Sequence, residues 1–193
     1  MSKNTAMRSS NGRLIDLLDV KPSDIDFLEI GYALSNLRRF TGHAHTHWSV
    51  AQHCLLMTTL VTKTAAPYAL LHDAHEMFSN DVSSPFKNAM AQIIPDGDKA
   101  YRILCERFDA AIFEAAELIY PIPSMIAYEI KEADAMLCAA EQQAIMTDAV
   151  PDYDTGELYK KVIPQPEEVV RHAWGNACQA LLPRFNLMKG LAS

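Results

Sequence analysis

Chemistry in this chain is concentrated in one short stretch, Leu70-Leu71-His72-Asp73-Ala74-His75-Glu76. The leucines and alanine assign it to the interior, yet it carries His, Asp and Glu. Burying such groups together without partners is costly. A divalent cation removes that cost, because imidazole and carboxylate are natural ligands for transition metals. Glu76 lies one helical turn beyond His72 and shares its face, where it could hold a water beside the metal. A His-Asp dipeptide alone is common by chance, and a lone buried histidine is more often a hydrogen-bonded core residue.

Two further segments add to it. Ser49-Val50-Ala51-Gln52-His53 reads as a helix start with a histidine on its inner side. Lys131-Glu132-Ala133-Asp134-Ala135-Met136-Leu137 sets Asp134 among small and apolar residues of a long helix. The chain therefore reads His, then His-Asp, then Asp, on three separate helices.

The elements that must bring these residues together are helical nearly throughout. Ser23, Asp24 and Asp26 are cap candidates for a helix running to about Arg38. A loop from Phe40 to His47 follows, and Ser49 can cap a second helix from Val50 to about Lys63. Pro67 opens a third, through His72 to about Phe78. Residues 79–85 form a loop by composition, and Phe86 to Ile94 a short helix. A long amphipathic helix from about Asp98 to Glu117 sets Tyr101, Leu104, Phe108, Ile112 and Ala115 at helical spacing. Pro121 and Pro123 break it, and Ser124 caps a helix over about 125–147. A connector over 148–163 contains Pro151, Asp154 and Gly156. Pro166 opens the last helix, which ends before Pro183. No alternating strand run of useful length is present. The expected fold class is all-α, a bundle of about six or seven helices, and a bundle core is a usual place for a metal site built from facing helices.

Composition bounds the function. The 193 residues suit one domain over 1–193, long enough to bury a core, with the polar segment 1–12 expected to be frayed. A net charge of −7 disfavours a grip on a nucleic acid polymer and leaves room for a small phosphorylated ligand. No apolar run reaches bilayer length, and the N-terminus lacks a secretion signal's apolar core, so no membrane partner and a cytoplasmic location are expected. Cys54, Cys105, Cys138 and Cys178 are far apart and form no CxxC pair; they read as buried, reduced thiols. HExxH, GxSxG, the phosphate-loop motif and GxGxxG are all absent, which argues against a zinc protease, a serine hydrolase, a P-loop NTPase and a nicotinamide-binding fold.

The H…HD…D order resembles the signature of the HD-domain metal-dependent phosphohydrolases. Residues 49–53, 69–76, 80–87 and 131–135, with Arg39-Phe40-Thr41-Gly42-His43, look like the bacterial 5′-deoxynucleotidase (YfbR-like) branch. They look at least as much like its phage relatives, the dATP-hydrolysing DatZ enzymes. The likeness spans about residues 23–147. It implies that His53, His72, Asp73 and Asp134 hold one divalent transition metal (Zn, Co, Mn or Fe, or Mg with a triphosphate). It further implies that Glu76 positions or deprotonates the attacking water, and that Asp81 contacts the deoxyribose 3′-hydroxyl. Arg39, Lys87 and Lys131 would face the phosphates, and Phe40 and Pro85 would flank sugar or base. Phe40 stands where the bacterial branch tends to carry Trp, and Arg38 competes with Arg39 as phosphate contact. His43, His45, His47 and His75 read as solvated loop residues or groups behind the ligands.

The resemblance thus implies a homo-oligomeric enzyme, in the host cytoplasm if phage-encoded, that hydrolyses the 5′-phosphates of deoxyribonucleotides, with dATP, dADP or dAMP preferred. A broad-specificity 5′-nucleotidase for deoxynucleoside monophosphates and a non-catalytic nucleotide-sensing HD module are the alternatives.

Overall fold

The structure, a computed structural model, describes residues 4–150, 152–183 and 185. Asp26 opens the first helix: its carboxylate accepts the backbone N–H of Leu28 and Glu29 and so satisfies two donors that a helix start leaves free. This helix, α1 (Phe27–Asn36), buries Phe27, Ile30, Gly31 and Leu34, the three- and four-residue spacing of one face. That face meets the C-terminal helix α8 (Glu167–Leu181). Trp174 of α8 is fully buried and donates its indole N–H to the Phe27 carbonyl at 2.8 Å. Its ring lies over Gly31, where any Cβ would collide with it. The missing side chain is what lets the two helices approach.

Between them runs the central helix α2 (Val50–Met57), in which Val50, Ala51, Gln52, His53, Cys54 and Met57 are all buried. A helix covered on every side belongs at the middle of a fold. It packs on α3 (Ala66–Leu71), on α8, and on the long helix α7 (Ser124–Ile145). The helix α4 (Glu76–Ser79) joins α6 (Lys99–Ala115) through Phe78 and Phe108, whose rings are 5.0 Å apart. Helix α5 (Ser84–Ile93) buries none of its residues. The buried apolar side chains of α1–α4 and α6–α8 join in one cluster.

The mostly helical architecture agrees with expectation, and the elements differ from it in four places. The expected third helix divides into α3 and α4. Across the break the amides of Ala74, Glu76, Met77 and Phe78 each bond three residues back rather than four, a tightened 3₁₀ path through His72–His75. Helix α2 stops at Met57 rather than near Lys63, where the Thr58 and Thr59 hydroxyls bond the carbonyls of Leu55 and Leu56. Ser124 is the first residue of α7 and caps nothing. Finally, Ala6–Arg8 (β1) pairs antiparallel with Leu14–Asp16 (β2) inside and just beyond the segment expected to be frayed. Glu29 of α1 anchors that hairpin by accepting from Ser10 Oγ, Asn11 N and Arg13, while Ile15 enters the core. Pro151 of the expected connector lies outside the described residues. Among the described residues, no helix is long and apolar enough to cross a membrane.

Candidate metal centre

His53 arrives on α2, whose start is set by the Ser49 hydroxyl accepting from Gln52 N. His72 and Asp73 sit in the 3₁₀ turn between α3 and α4, and Asp134 stands on α7. His53 Nε2 lies 3.3 Å from His72 Nε2, 3.1 Å from Asp134 Oδ1 and 3.8 Å from Asp73 Oδ2. His72 Nε2 lies 3.2 Å from Asp73 Oδ2. Of the four groups named from the sequence, His53, His72 and Asp134 therefore bring three ligand atoms within 4.8 Å of one another, and Asp73 joins them through His72 and His53.

Hydrogen bonds behind the cluster fix which nitrogen faces it. His53 Nδ1 lies 2.7 Å from Glu141 Oε1 and His72 Nδ1 lies 2.8 Å from the Ala69 carbonyl. A carboxylate and a carbonyl only accept, so both Nδ1 atoms carry a proton and donate. In the neutral rings both Nε2 lone pairs then face one another and two anionic oxygens. Such an arrangement repels itself unless a positive charge enters it. Burial favours neutral His72, but the charge of Asp73 outweighs it and holds the imidazole well above its ordinary value. His53 is raised too: burial and Arg39 oppose its charge, and Glu141 and Asp134 prevail. A divalent cation meets the same demand with lone pairs already aimed. Bonds of ~2.0–2.2 Å to a metal place neighbouring ligand atoms about 2.9–3.5 Å apart, and three of the four donor separations above fall in that range. Two carboxylate charges with two neutral rings balance a 2+ ion. The donor set thus fits a divalent metal. Cys54 Sγ also approaches His72, at 4.0 Å from Nδ1, but that nitrogen is committed to Ala69, and burial pushes the Cys54 thiol up to about 11. It is a poor ligand here.

Beside the cluster opens a cleft of about 640 Å³, lined by Arg39, Phe40, Asp73, Glu76, Asp81 and Pro85, together with Lys87, Asp134 and Cys138. Glu76 is buried, and its Oε2 has no hydrogen-bond partner among the described residues. Burial first, then the charges of Asp73 and Asp81, push it up to about 9. Asp81 is also raised, chiefly by burial. A second concavity of about 720 Å³, lined by Leu60, Ile126, Tyr128 and Met136 among others, contains no imidazole or thiol. Its larger volume carries less chemistry.

Most of the remaining sequence candidates reach the cleft. Arg39 is buried; its Nε donates to Glu141 Oε2 at 2.8 Å, its Nη1 lies 3.6 Å from Asp73, and its guanidinium sits 5.4 Å over the Phe40 ring. Lys87 stands over the Tyr101 ring at 5.7 Å. Lys131 does not join them: it is exposed on α7 and does not line the cleft. Arg38 likewise lies outside the cleft lining, and its backbone forms the bridge with Ser49. Of the extra histidines, His43 lines the cleft and His45 meets the Thr147 hydroxyl at 2.9 Å. His75, not a loop residue, pairs with Asp109 at 3.0 Å behind Glu76. All four cysteines are free; Cys138 is only half-buried.

Sequence reasoning misses Glu141 and Trp48. Glu141 is fully buried and accepts three bonds, from His53 Nδ1 at 2.7 Å, Trp48 Nε1 at 2.7 Å and Arg39 Nε at 2.8 Å. One signal could have found it: Glu141 is seven residues after Asp134, hence on the same helix face, and directly follows Ala139 and Ala140. The bridge that pairs Arg38 with Ser49, with Arg39 N bonding the Trp48 carbonyl, closes the intervening loop and brings Arg39 and Trp48 to the same carboxylate.

No family model matches the chain. It is 32% identical over 171 residues to the uncharacterized protein YfdR of Escherichia coli K12, with 86% of each chain covered. It is 32% identical over 152 residues to the uncharacterized protein RCAP_rcc00048 of Rhodobacter capsulatus, with 74% of each covered. Identity at that level over most of both lengths means common descent and a shared fold, so this helical chain with its His/Asp cluster belongs to the family of YfdR.

Proposed function

We propose that the chain is a metal-dependent phosphohydrolase of the HD-domain type that removes 5′-phosphate from 2′-deoxyribonucleotides, with dATP, dADP and dAMP as preferred substrates and deoxyadenosine as the nucleoside product. One observation carries the reading: four ligand atoms with both imidazole tautomers locked inward stand beside an unpartnered buried glutamate in an open cleft. His53, His72, Asp73 and Asp134 would hold Zn, Co, Mn or Fe, or Mg alongside a triphosphate. Such an ion, when bound, polarises a phosphoryl oxygen and lowers the pKa of a bound water toward ~7.

The chain's own groups do the rest. Glu76 moves the proton: it takes one from the attacking water and returns one to the leaving 5′ oxygen. Its raised pKa suits it to carry that proton near neutrality, and positive charge arriving in the cleft favours its ionised form. Arg39 keeps Nε on Glu141 and has its remaining N–H groups for phosphate oxygens. Lys87, at the cleft lip, adds a second cation. Phe40 and Pro85 flank the nucleoside, and Asp81 accepts from the sugar 3′-hydroxyl. The preference for adenine and the homo-oligomeric state belong to this reading through the likeness to the dATP-hydrolysing enzymes.

The test is a panel of ribo- and deoxynucleotides, mono- and triphosphates, with Co²⁺, Mn²⁺, Zn²⁺ or Mg²⁺ and products separated by chromatography. Metal-dependent release from deoxyadenine nucleotides is expected. Tight nucleotide binding without release in any metal would point instead to a sensing module. Asp134→Ala should lose the metal; stoichiometric metal retained in that variant removes Asp134 from the ligand set.

A further inference from the structure

The function proposed above assigns nothing to Glu141, the most completely satisfied charged group beside the metal cluster. We infer that Glu141 is a positioning residue with two separable outputs, one per oxygen: Oε1 orients His53 for the metal and Oε2 aims Arg39 at the phosphate. This inference rests on the metal-dependent reading.

Oε1 accepts two bonds, from His53 Nδ1 and Trp48 Nε1, both at 2.7 Å. Oε2 accepts one, from Arg39 Nε at 2.8 Å. The three donors come from parts of the chain far from Glu141: two from the loop before α2, and one from α2 itself. All three are buried, and so is Glu141, so water cannot substitute for any bond that is lost. With Oε1 in place, the His53 proton stays on Nδ1 and the Nε2 lone pair points at Asp134, His72 and Asp73. An imidazole held by a carboxylate is also a stronger donor to a metal, and losing such a partner typically costs ~10–100-fold in metal affinity. With Oε2 in place, Arg39 is neutralised and held with its Nη1 end 3.6 Å from Asp73, at the mouth of the cluster. The buried Arg39–Glu141 pair largely compensates itself, so the guanidinium offsets only part of the Asp73 charge that a divalent ion would meet.

The division of labour is open to experiment because glutamine splits it. Glu141→Gln keeps one acceptor oxygen and replaces the other with an NH₂. Placed at the Oε1 position, the amide oxygen satisfies His53 and Trp48, and the NH₂ faces Arg39. The opposite flip would set the NH₂ against two donors and satisfy one. With a metal on Nε2 the His53 proton must sit on Nδ1, so in the metal-bound protein counting bonds places the oxygen at Oε1. The metal output survives and the phosphate output fails.

The experiment measures Co²⁺ affinity by visible absorption titration of the metal-free protein. It also measures dAMP affinity by calorimetry on the Co²⁺-loaded protein in a Glu76→Ala background, which removes turnover, for the otherwise parent chain, Glu141→Gln and Glu141→Ala, with circular dichroism as the folding control. Glu141→Gln should bind Co²⁺ as the parent does and dAMP ~10-fold more weakly, a loss about that of one charge-assisted bond. Glu141→Ala, if folded, should also lose ~10–100-fold in Co²⁺ affinity. Should the alanine variant fail to fold, Glu141→Gln decides alone. Equal losses of both ligands in Glu141→Gln, or a loss of neither, overturn the inference. A parent chain that binds no Co²⁺ overturns the metal-dependent reading instead, so the two failures are distinct.

Discussion

Glu141, hydrogen-bonded to His53, and Glu76, in the cleft beside the His/Asp cluster, are both buried, yet their surroundings differ completely. Glu141 accepts three hydrogen bonds and is held below its ordinary value: burial pushes it up, but Arg39 and His53 prevail. Glu76 has an orphaned oxygen and is pushed up to about 9. A saturated carboxylate is fixed in charge and place and can only organise its neighbours. An unsatisfied one costs stability and is free to exchange a proton. The fold gives up stability at the carboxylate that faces the cleft and recovers it at the one that holds His53, Trp48 and Arg39. Glu29, beneath the N-terminal hairpin, is a third buried glutamate and belongs with Glu141: its donors are Ser10, Asn11 and Arg13.

Four measurements put this contrast at risk. The largest effect should be on catalysis: Glu76→Ala should lose ~10²–10⁴-fold in phosphate release, the usual worth of a general acid–base, while still binding Co²⁺ and dAMP. A near-normal rate would remove Glu76 from the proton path. Next is the stability of Glu141→Met in urea. It should fall by about 3–5 kcal/mol, because the buried Arg39 cation is left unpaired. Glu76→Met, the same exchange at the other glutamate, should move the opposite way by about 1–3 kcal/mol in the metal-free protein, since an unsatisfied polar group is removed. If both variants lose stability equally, the two glutamates do not differ as their surroundings require. The smallest effect concerns acid. Glu29 is held below its ordinary value: burial pushes it up, but Asn11 N, Ser10 and Arg13 outweigh it. Its contribution is therefore fully present above the ordinary glutamate value of 4.5 and fades as pH falls through the lower folded value. The stability gap between the parent chain and Glu29→Gln should be constant near neutrality and shrink below about pH 4. A gap that does not change with pH would detach the hairpin from this carboxylate.

The legible and illegible parts of the site follow the same physics. His53, His72, Asp73, Asp134 and Glu76 stand out in sequence because charged groups set among leucines and alanines must meet a partner or an ion to be buried at all. Glu141 fits that description equally well, two turns past Asp134. Its role is hidden because its partners, Trp48, His53 and Arg39, are about ninety to a hundred residues away in sequence. Lys131 misleads in the other direction: its spacing to Asp134 suggests a shared face, but a long lysine near a helix edge can turn to solvent, and it does.

The amino-acid order settles what is local. It sets the helical periodicity, the caps at Asp26 and Ser49, and the breaks at Pro121 and Pro123, because propensity, capping and hydrophobic spacing act within a few residues. Three-dimensional packing settles the split of the third helix at His72, the docking of the hairpin on Glu29, the tautomer of His53 and which carboxylate is left without a partner. Each of those depends on groups meeting across the chain. A hydrogen bond or its absence is a property of two sites, and one segment specifies only one of them.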